Sequence, residues 1–157
     1  MAANSLDSNH SQNSYDKGTP VAAAATTFRF AGVKILVIED SPDLCDLLKC
    51  ALQMTGAEVE VALSASEAQS RLCQFRANVI ISDIGLPDKN GFELMCDVRA
   101  KEDRMGQKHI PALAFSAYGS NLKAQALNCG FQLYLVKPAP LMAIFGAIQE
   151  LLHMIPA

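Results

Sequence analysis

No apolar run in the chain approaches the ~18 residues that a bilayer-spanning helix needs, which excludes a helical membrane protein on this sequence. The N-terminus lacks the basic start and sustained apolar stretch of a secretory signal, and Val21 to Ala25 is too short and too weakly apolar to serve as one. Cysteine is sparse and scattered: Cys45, Cys50, Cys73, Cys96 and Cys129 are odd in number and contain no Cys-x-x-Cys pair. That pattern excludes a disulfide framework and a zinc site, and the cysteines read as small hydrophobic residues on half-buried faces rather than redox groups. Nor is there a basic stripe or a platform of aromatics and arginines, and the formal net charge is −3. In the first 31 residues Asp7 and Asp16 balance Lys17 and Arg29, so the excess acid lies in the remainder. Direct binding to nucleic acid is not expected of such a chain. The expected location is cytoplasmic.

What is present is half hydrophobic over 157 residues, enough for one compact domain. Residues 1–31 are rich in Ser, Asn, Gln and Ala without apolar period, and read as a disordered tail or linker. The folded domain is expected over residues 32–157. There, short apolar runs begin to alternate with amphipathic stretches. The runs are Val33 to Ile38, Val59 to Val61, Val79 to Ile81, Ala112 to Phe115 and Leu133 to Val136. Continuous runs suit strands buried on both faces of a parallel sheet, whereas the second alternates and belongs at an edge.

Helices are punctuated between them. Ser41-Pro42 is an N-cap followed by proline at the first helical position, and Gly56 stands beyond the end. Ser64 with Glu67 forms a capping-box pattern. A third helix is expected from Gly91 to Ala100, and a fourth from Ser120 to Asn128 with only Leu122, Ala126 and Leu127 to bury. The fifth shows one stripe: Leu141, Ile144, Phe145, Ile148, Leu151, Leu152 and Ile155. Five strands alternating with five helices predict a doubly wound α/β domain, with a parallel sheet of order 2-1-3-4-5 and helices on both faces. The weakly apolar fourth helix is the expected mobile part.

Ligand sites in such sheets lie at the carboxyl ends of the strands. Glu39 and Asp40 follow the first strand, Asp83 the third, Ser116 the fourth, and Lys137-Pro138 the fifth. Any one of these suits a helix cap or a turn. Together they place three carboxylates, a hydroxyl and an ammonium at one edge. Clustered carboxylates stay ionised only with a cation among them, and Mg²⁺ suits hard oxygen ligands and phosphate. One carboxylate can then attack phosphorus, while a lysine and a hydroxyl stabilise the equatorial oxygens.

VKILVIED (Val33 to Asp40), IISDIGLP (Ile80 to Pro87), Phe115-Ser116-Ala117 and YLVKP (Tyr134 to Pro138) resemble the defining blocks of a response-regulator receiver domain. The resemblance covers about Gly32 to Ile155, and is close to receivers associated with hybrid sensor kinases. It implies a flavodoxin-like fold with Asp83 as phosphoacceptor and a Mg²⁺ site formed by Glu39, Asp40, Asp83 and the Gly85 carbonyl. It further implies that Lys137 contacts the phosphate before a cis Pro138. Ser116 then swings in to bond a phosphate oxygen, and the Tyr134 rotamer follows. The implied donor is a sensor histidine kinase or histidine phosphotransfer protein. The implied output is a protein partner or a homodimer through helix 4, strand 5 and helix 5, since no output domain follows Pro156 here. Two positions depart from the commoner pattern: Gly85 offers no side chain to orient water, and Tyr118 is bulky enough to screen the phosphate. Both suggest slow dephosphorylation.

Other readings fit less well. A phosphatase using an aspartyl phosphate would carry Asp-x-Asp after the first strand, whereas Asp40 is followed by Ser41-Pro42. A dinucleotide or flavin site would want a phosphate-cradling loop in place of the acidic Ser41-Pro42-Asp43. A pseudo-receiver, a pure interaction module, would have lost one of the signature residues. His10, His109 and His153 sit in no phosphohistidine setting. The chain is therefore not expected to be an enzyme acting on a separate substrate.

Overall fold

The computed structural model describes residues 27–155; the rest of the expected N-terminal tail lies outside the described residues. The elements alternate: β1 (Lys34–Ile38), α1 (Pro42–Met54), β2 (Glu58–Ala62), α2 (Ala65–Gln74), β3 (Val79–Ser82) and α3 (Gly91–Arg104). They continue with β4 (Ala112–Ser116), a 3₁₀ turn (Ser120–Leu122), α4 (Lys123–Asn128), β5 (Leu133–Val136) and α5 (Leu141–His153). The five strands form one parallel sheet in the order β2-β1-β3-β4-β5. The expected order and the edge position of β2 are both observed.

Alternation along the strands divides the core. Ile35 and Val37 face α1 and α5, packing with Leu48, Leu52, Phe145 and Ile148. Leu36 and Ile38 face the other side, with Ala68 of α2, Met95 of α3 and Ala126 of α4. Helices thus cover both faces, as a parallel sheet requires. Register matters most for the site: Ile38 pairs with Ser82 and Ser116 with Val136, so the residues after these strands emerge at one edge.

Three sequence expectations need correction. The folded unit begins before residue 32: Phe30 is buried and its N–H donates to the Thr55 carbonyl at 2.8 Å. The rings of Phe28 and Phe30 lie 5.7 and 6.3 Å from that of Phe145. Two aromatics in a polar, aperiodic stretch carry no local signal; α5 supplies the packing that orders them. Second, α3 runs to Arg104: its polar end carries two buried groups, Arg99 and Glu102, paired at 2.8 Å. Third, the fourth helix opens as a 3₁₀ turn without a side-chain cap, and Leu127 is exposed rather than packed.

Candidate functional site: an acidic pocket at the carboxyl edge

Strand pairing delivers the acidic residues. The Asp83 N–H donates to the Ile38 carbonyl at 2.8 Å, continuing the β1–β3 ladder one residue past Ser82. Glu39 likewise donates to the Ala62 carbonyl at 3.0 Å. Both side chains are therefore fixed by backbone and sit buried. Asp40 is exposed, and Ser41 immediately caps α1 by accepting from the Leu44 N–H at 3.4 Å. One carboxylate oxygen from each of Glu39, Asp40 and Asp83 lies within 4.8 Å of the others. That donor set fits a hard divalent cation such as Mg²⁺, which takes one or two protein carboxylates and keeps several waters.

Lys137 enters from β5. Its Nζ is 2.5 Å from Glu39 Oε2 and 3.3 Å from Asp83 Oδ2, and lies 5.4 Å from the Phe115 ring centroid. The Lys137-Pro138 peptide is cis. Burial raises the Glu39 carboxyl above its usual range; Asp83's charge adds to this, and the Lys137 hydrogen bond only partly opposes it. Burial would lower Lys137, but Glu39 and Asp83 together outweigh it and hold the ammonium above its usual value. Both groups feel burial and the negative charge of Asp83, which raises Glu39 and Lys137 alike. Beneath it the Cys45 thiol donates to the Glu39 carbonyl at 3.1 Å, and burial first, then Glu39's charge, push it up to about 11.

The two oxygens of Asp83 differ. Oδ1 accepts from the Ile84 N–H at 2.7 Å and the Gly85 N–H at 3.3 Å, whereas Oδ2 lies 3.3 Å from the ammonium of Lys137. Ser116 is fully buried at the end of β4, where its Oγ accepts from the Tyr118 N–H at 3.1 Å and makes no bond to Asp83. The Tyr134 hydroxyl donates to the carbonyls of Tyr118 and Gly119, the latter at 3.0 Å. Ser116 and Tyr134 thus hold successive peptide units of one loop, the first through the Tyr118 N–H and the second through the Tyr118 and Gly119 carbonyls. Tyr118 leans over Gly85, where a Cβ would meet its hydroxyl at 3.3 Å.

Sequence reasoning missed two supporting residues. Gly91 was legible only as a helix start, yet a Cβ there would press on the Asp83 carbonyl and come within 2.8 Å of Ile84 Cα. Its N–H donates to the Ile84 carbonyl at 2.7 Å, closing the loop that carries Asp83. Asp88 caps α2 from outside: its oxygens accept from the Ala65 and Ser66 N–H groups, both at 2.9 Å. Those bonds, Ser66 first, hold the Asp88 carboxyl below its usual range. The signal was available in Pro87-Asp88 and Asn90-Gly91 as turn chemistry, but their partners lie far off in sequence.

The family model of the response regulator receiver domain matches residues 35–149. The chain belongs to that family. Among curated relatives, this receiver domain is 39% identical over 121 residues to the uncharacterized 14.6 kDa protein in the sodA1 3′ region of Leptolyngbya boryana, covering 76% of this chain and 90% of that one. It is 31% identical over 122 residues to the transcriptional regulatory protein PhoP of Escherichia coli O157:H7, covering 77% of this chain but 52% of PhoP. The receiver thus spans about half the length of that regulator. Among solved structures, the chemotaxis response regulator CheY4 of Vibrio cholerae superposes with a TM-score of 0.69 at 30% identity, covering 76% of this chain and 98% of that one. Receiver domains are signalling modules of two-component systems, and among the described residues no helix is long and apolar enough to cross a membrane.

Proposed function

We propose that this receiver accepts a phosphoryl group on Asp83 from a sensor histidine kinase or histidine phosphotransfer protein. The observation that carries the reading is the approach of Lys137 and of the Glu39–Asp40 pair to the Asp83 carboxylate. Glu39, Asp40, Asp83 and the Gly85 carbonyl are the residues that would hold Mg²⁺. When bound, the ion supplies charge neutralisation for a transferring phosphoryl group.

The chain's own residues divide the remaining work. Oδ1 of Asp83 is occupied by two backbone N–H groups, which leaves Oδ2 as the nucleophile. Attack of Oδ2 on phosphorus forms the acyl phosphate as the donor's imidazole nitrogen leaves. Lys137 already points at Oδ2, and after transfer its ammonium pairs with the phosphate. Ser116 gives up the Tyr118 N–H and turns its hydroxyl to a phosphate oxygen. With Ser116 gone, the loop at Tyr118 and Gly119 keeps its bonds to Tyr134, so loop, ring and α4 relax together. That is a population shift between two packings, driven by a group of about −2 charge. The altered face of α4, β5 and α5 serves a protein partner or a second copy. Tyr118 over a side-chain-free Gly85 screens the phosphate and orients no water, so hydrolysis is slow.

The reading is tested by Mg²⁺-dependent labelling with a small phosphodonor. The unsubstituted chain is expected to label, Asp83→Asn to be inert, and Tyr118→Ala to lose label several-fold faster than its parent. Equal labelling of Asp83→Asn removes the central assignment.

A further inference from the structure

The expectation that all five cysteines are half-buried fillers fails for three of them: Cys50, Cys73 and Cys96 are exposed. Cys96 is set apart by its surroundings. It precedes Arg99 by three residues on α3, so both side chains leave the helix on neighbouring parts of one face. Arg99 grips the Gly130 carbonyl, through Nε at 3.1 Å and a terminal nitrogen at 2.8 Å. Gly130 has φ +107°, and a Cβ there would lie 2.8 Å from Arg99 Cγ, so the α4–β5 turn rests directly on α3. Cys129, the residue before it, is the C-cap of α4 and donates its N–H to the Gln125 carbonyl at 3.0 Å.

The same face of α3 therefore meets residues 129 and 130 in succession. Cys96 and Cys129 line one open groove of about 470 Å³, together with Phe92, Glu93 and Gln125. Burial pushes the Cys129 thiol up, and the adjacent Cys96 sulfur pushes it further. Cys45, by contrast, is buried at the Glu39 carbonyl.

We propose that Cys96 and Cys129 form a reversible disulfide that staples the C-terminal end of α4 to α3. The oxidant class is a low-molecular-weight disulfide such as glutathione disulfide. The exposed Cys96, as thiolate, attacks one of its sulfurs, forming a mixed disulfide and expelling one glutathione thiolate. Cys129 then loses its proton to solvent and attacks the Cys96 sulfur, expelling the second. Two protein thiols and one glutathione disulfide become one protein disulfide and two glutathione thiols. Exposure decides the order: the accessible sulfur meets the oxidant, and the half-buried neighbour in the same groove resolves it.

The consequence falls on the least anchored helix of the domain. α4 has a single buried residue, Ala126, and no side-chain cap at its start. Arg99 holds its far end by hydrogen bonds alone; a disulfide makes that tie covalent and restricts the helix to pivoting about Cys129. This inference is independent of phosphorylation at Asp83.

The test uses the full chain with Cys50→Ser and Cys73→Ser, equilibrated with glutathione disulfide and analysed by peptide mapping and amide exchange. A 96–129 linked peptide is expected, with both thiols lost to alkylation and recovered on reduction. Exchange across Lys123–Asn128 is expected to slow several-fold in the oxidised protein. In a further Cys129→Ser variant, glutathione is expected to accumulate on Cys96. Stable glutathione on Cys96 in the presence of Cys129, two freely alkylatable thiols, or unchanged exchange at α4 despite the link would each overturn the proposal.

Discussion

α1 and α4 pack on opposite faces of one sheet and are built on opposite principles. α1 has 13 residues, a serine cap, proline in its first turn and four buried side chains. α4 has 6 residues, enters through a 3₁₀ turn and buries one. The first follows the loop that carries Glu39 and Asp40; the second follows the loop that Ser116 and Tyr134 hold. The contrast teaches how a small domain separates chemistry from signalling. On the proposed function, carboxylates that share a cation need fixed geometry, and Glu39 and Asp83 sit buried beside the packed core. A segment that must change position needs few contacts to break, and few are provided.

The largest test of that contrast is Arg99→Ala. It leaves the buried Glu102 without its ion-pair partner and frees the carbonyls of Ile110 and Gly130. A loss of about 3–5 kcal/mol is expected in urea unfolding, with the turn after α4 released from its tie to α3. Leu52→Ala, in the α1 core, is expected to cost about 2–5 kcal/mol, because a fully buried leucine leaves a cavity the sheet cannot close. Its effect on amide exchange should be global, whereas truncation of Leu122 should matter only within the α4 segment.

Gly91→Ala comes next. The new methyl presses on Asp83 and Ile84 backbone, so about 1–3 kcal/mol of strain is expected, and the loss of phosphorylation should exceed what the stability loss explains. A thermal melt and a labelling rate on the same sample separate the two.

The smallest expected effect is titration of the pocket. Glu39 is raised in the folded state, so without Mg²⁺ the native chain binds its proton more tightly than the unfolded chain does. Its contribution to stability therefore grows as pH falls from the raised folded value towards the ordinary carboxylate value, and is adverse above it. Mg²⁺ reverses the preference. Its affinity should weaken as pH falls through the raised Glu39 value.

These residues also show what a single sequence makes legible. Strand order, the edge position of β2 and the convergence of Glu39, Asp40, Asp83, Ser116 and Lys137 all follow from apolar runs and the residues just past them. Local pattern carries that information. Phe28 and Phe30, the bonds from Arg99 to Ile110 and Gly130, the external cap from Asp88 and the groove shared by Cys96 and Cys129 depend on segments distant in sequence. In each, a polar or aperiodic residue is ordered by a partner that its own neighbourhood does not announce. Gly91 is the intermediate case, visible as a helix start but not as the floor beneath Asp83.

The central claim is that the pocket at the carboxyl edge exists to carry a phosphoryl group on one oxygen of Asp83. Peptide mapping of the phosphorylated chain, formed with a small phosphodonor and Mg²⁺, tests it most directly. The account predicts one acyl phosphate, on Asp83, absent when Mg²⁺ is chelated. An adduct on Asp40 or Glu39, or none under conditions where Mg²⁺ binding is demonstrated, would contradict it.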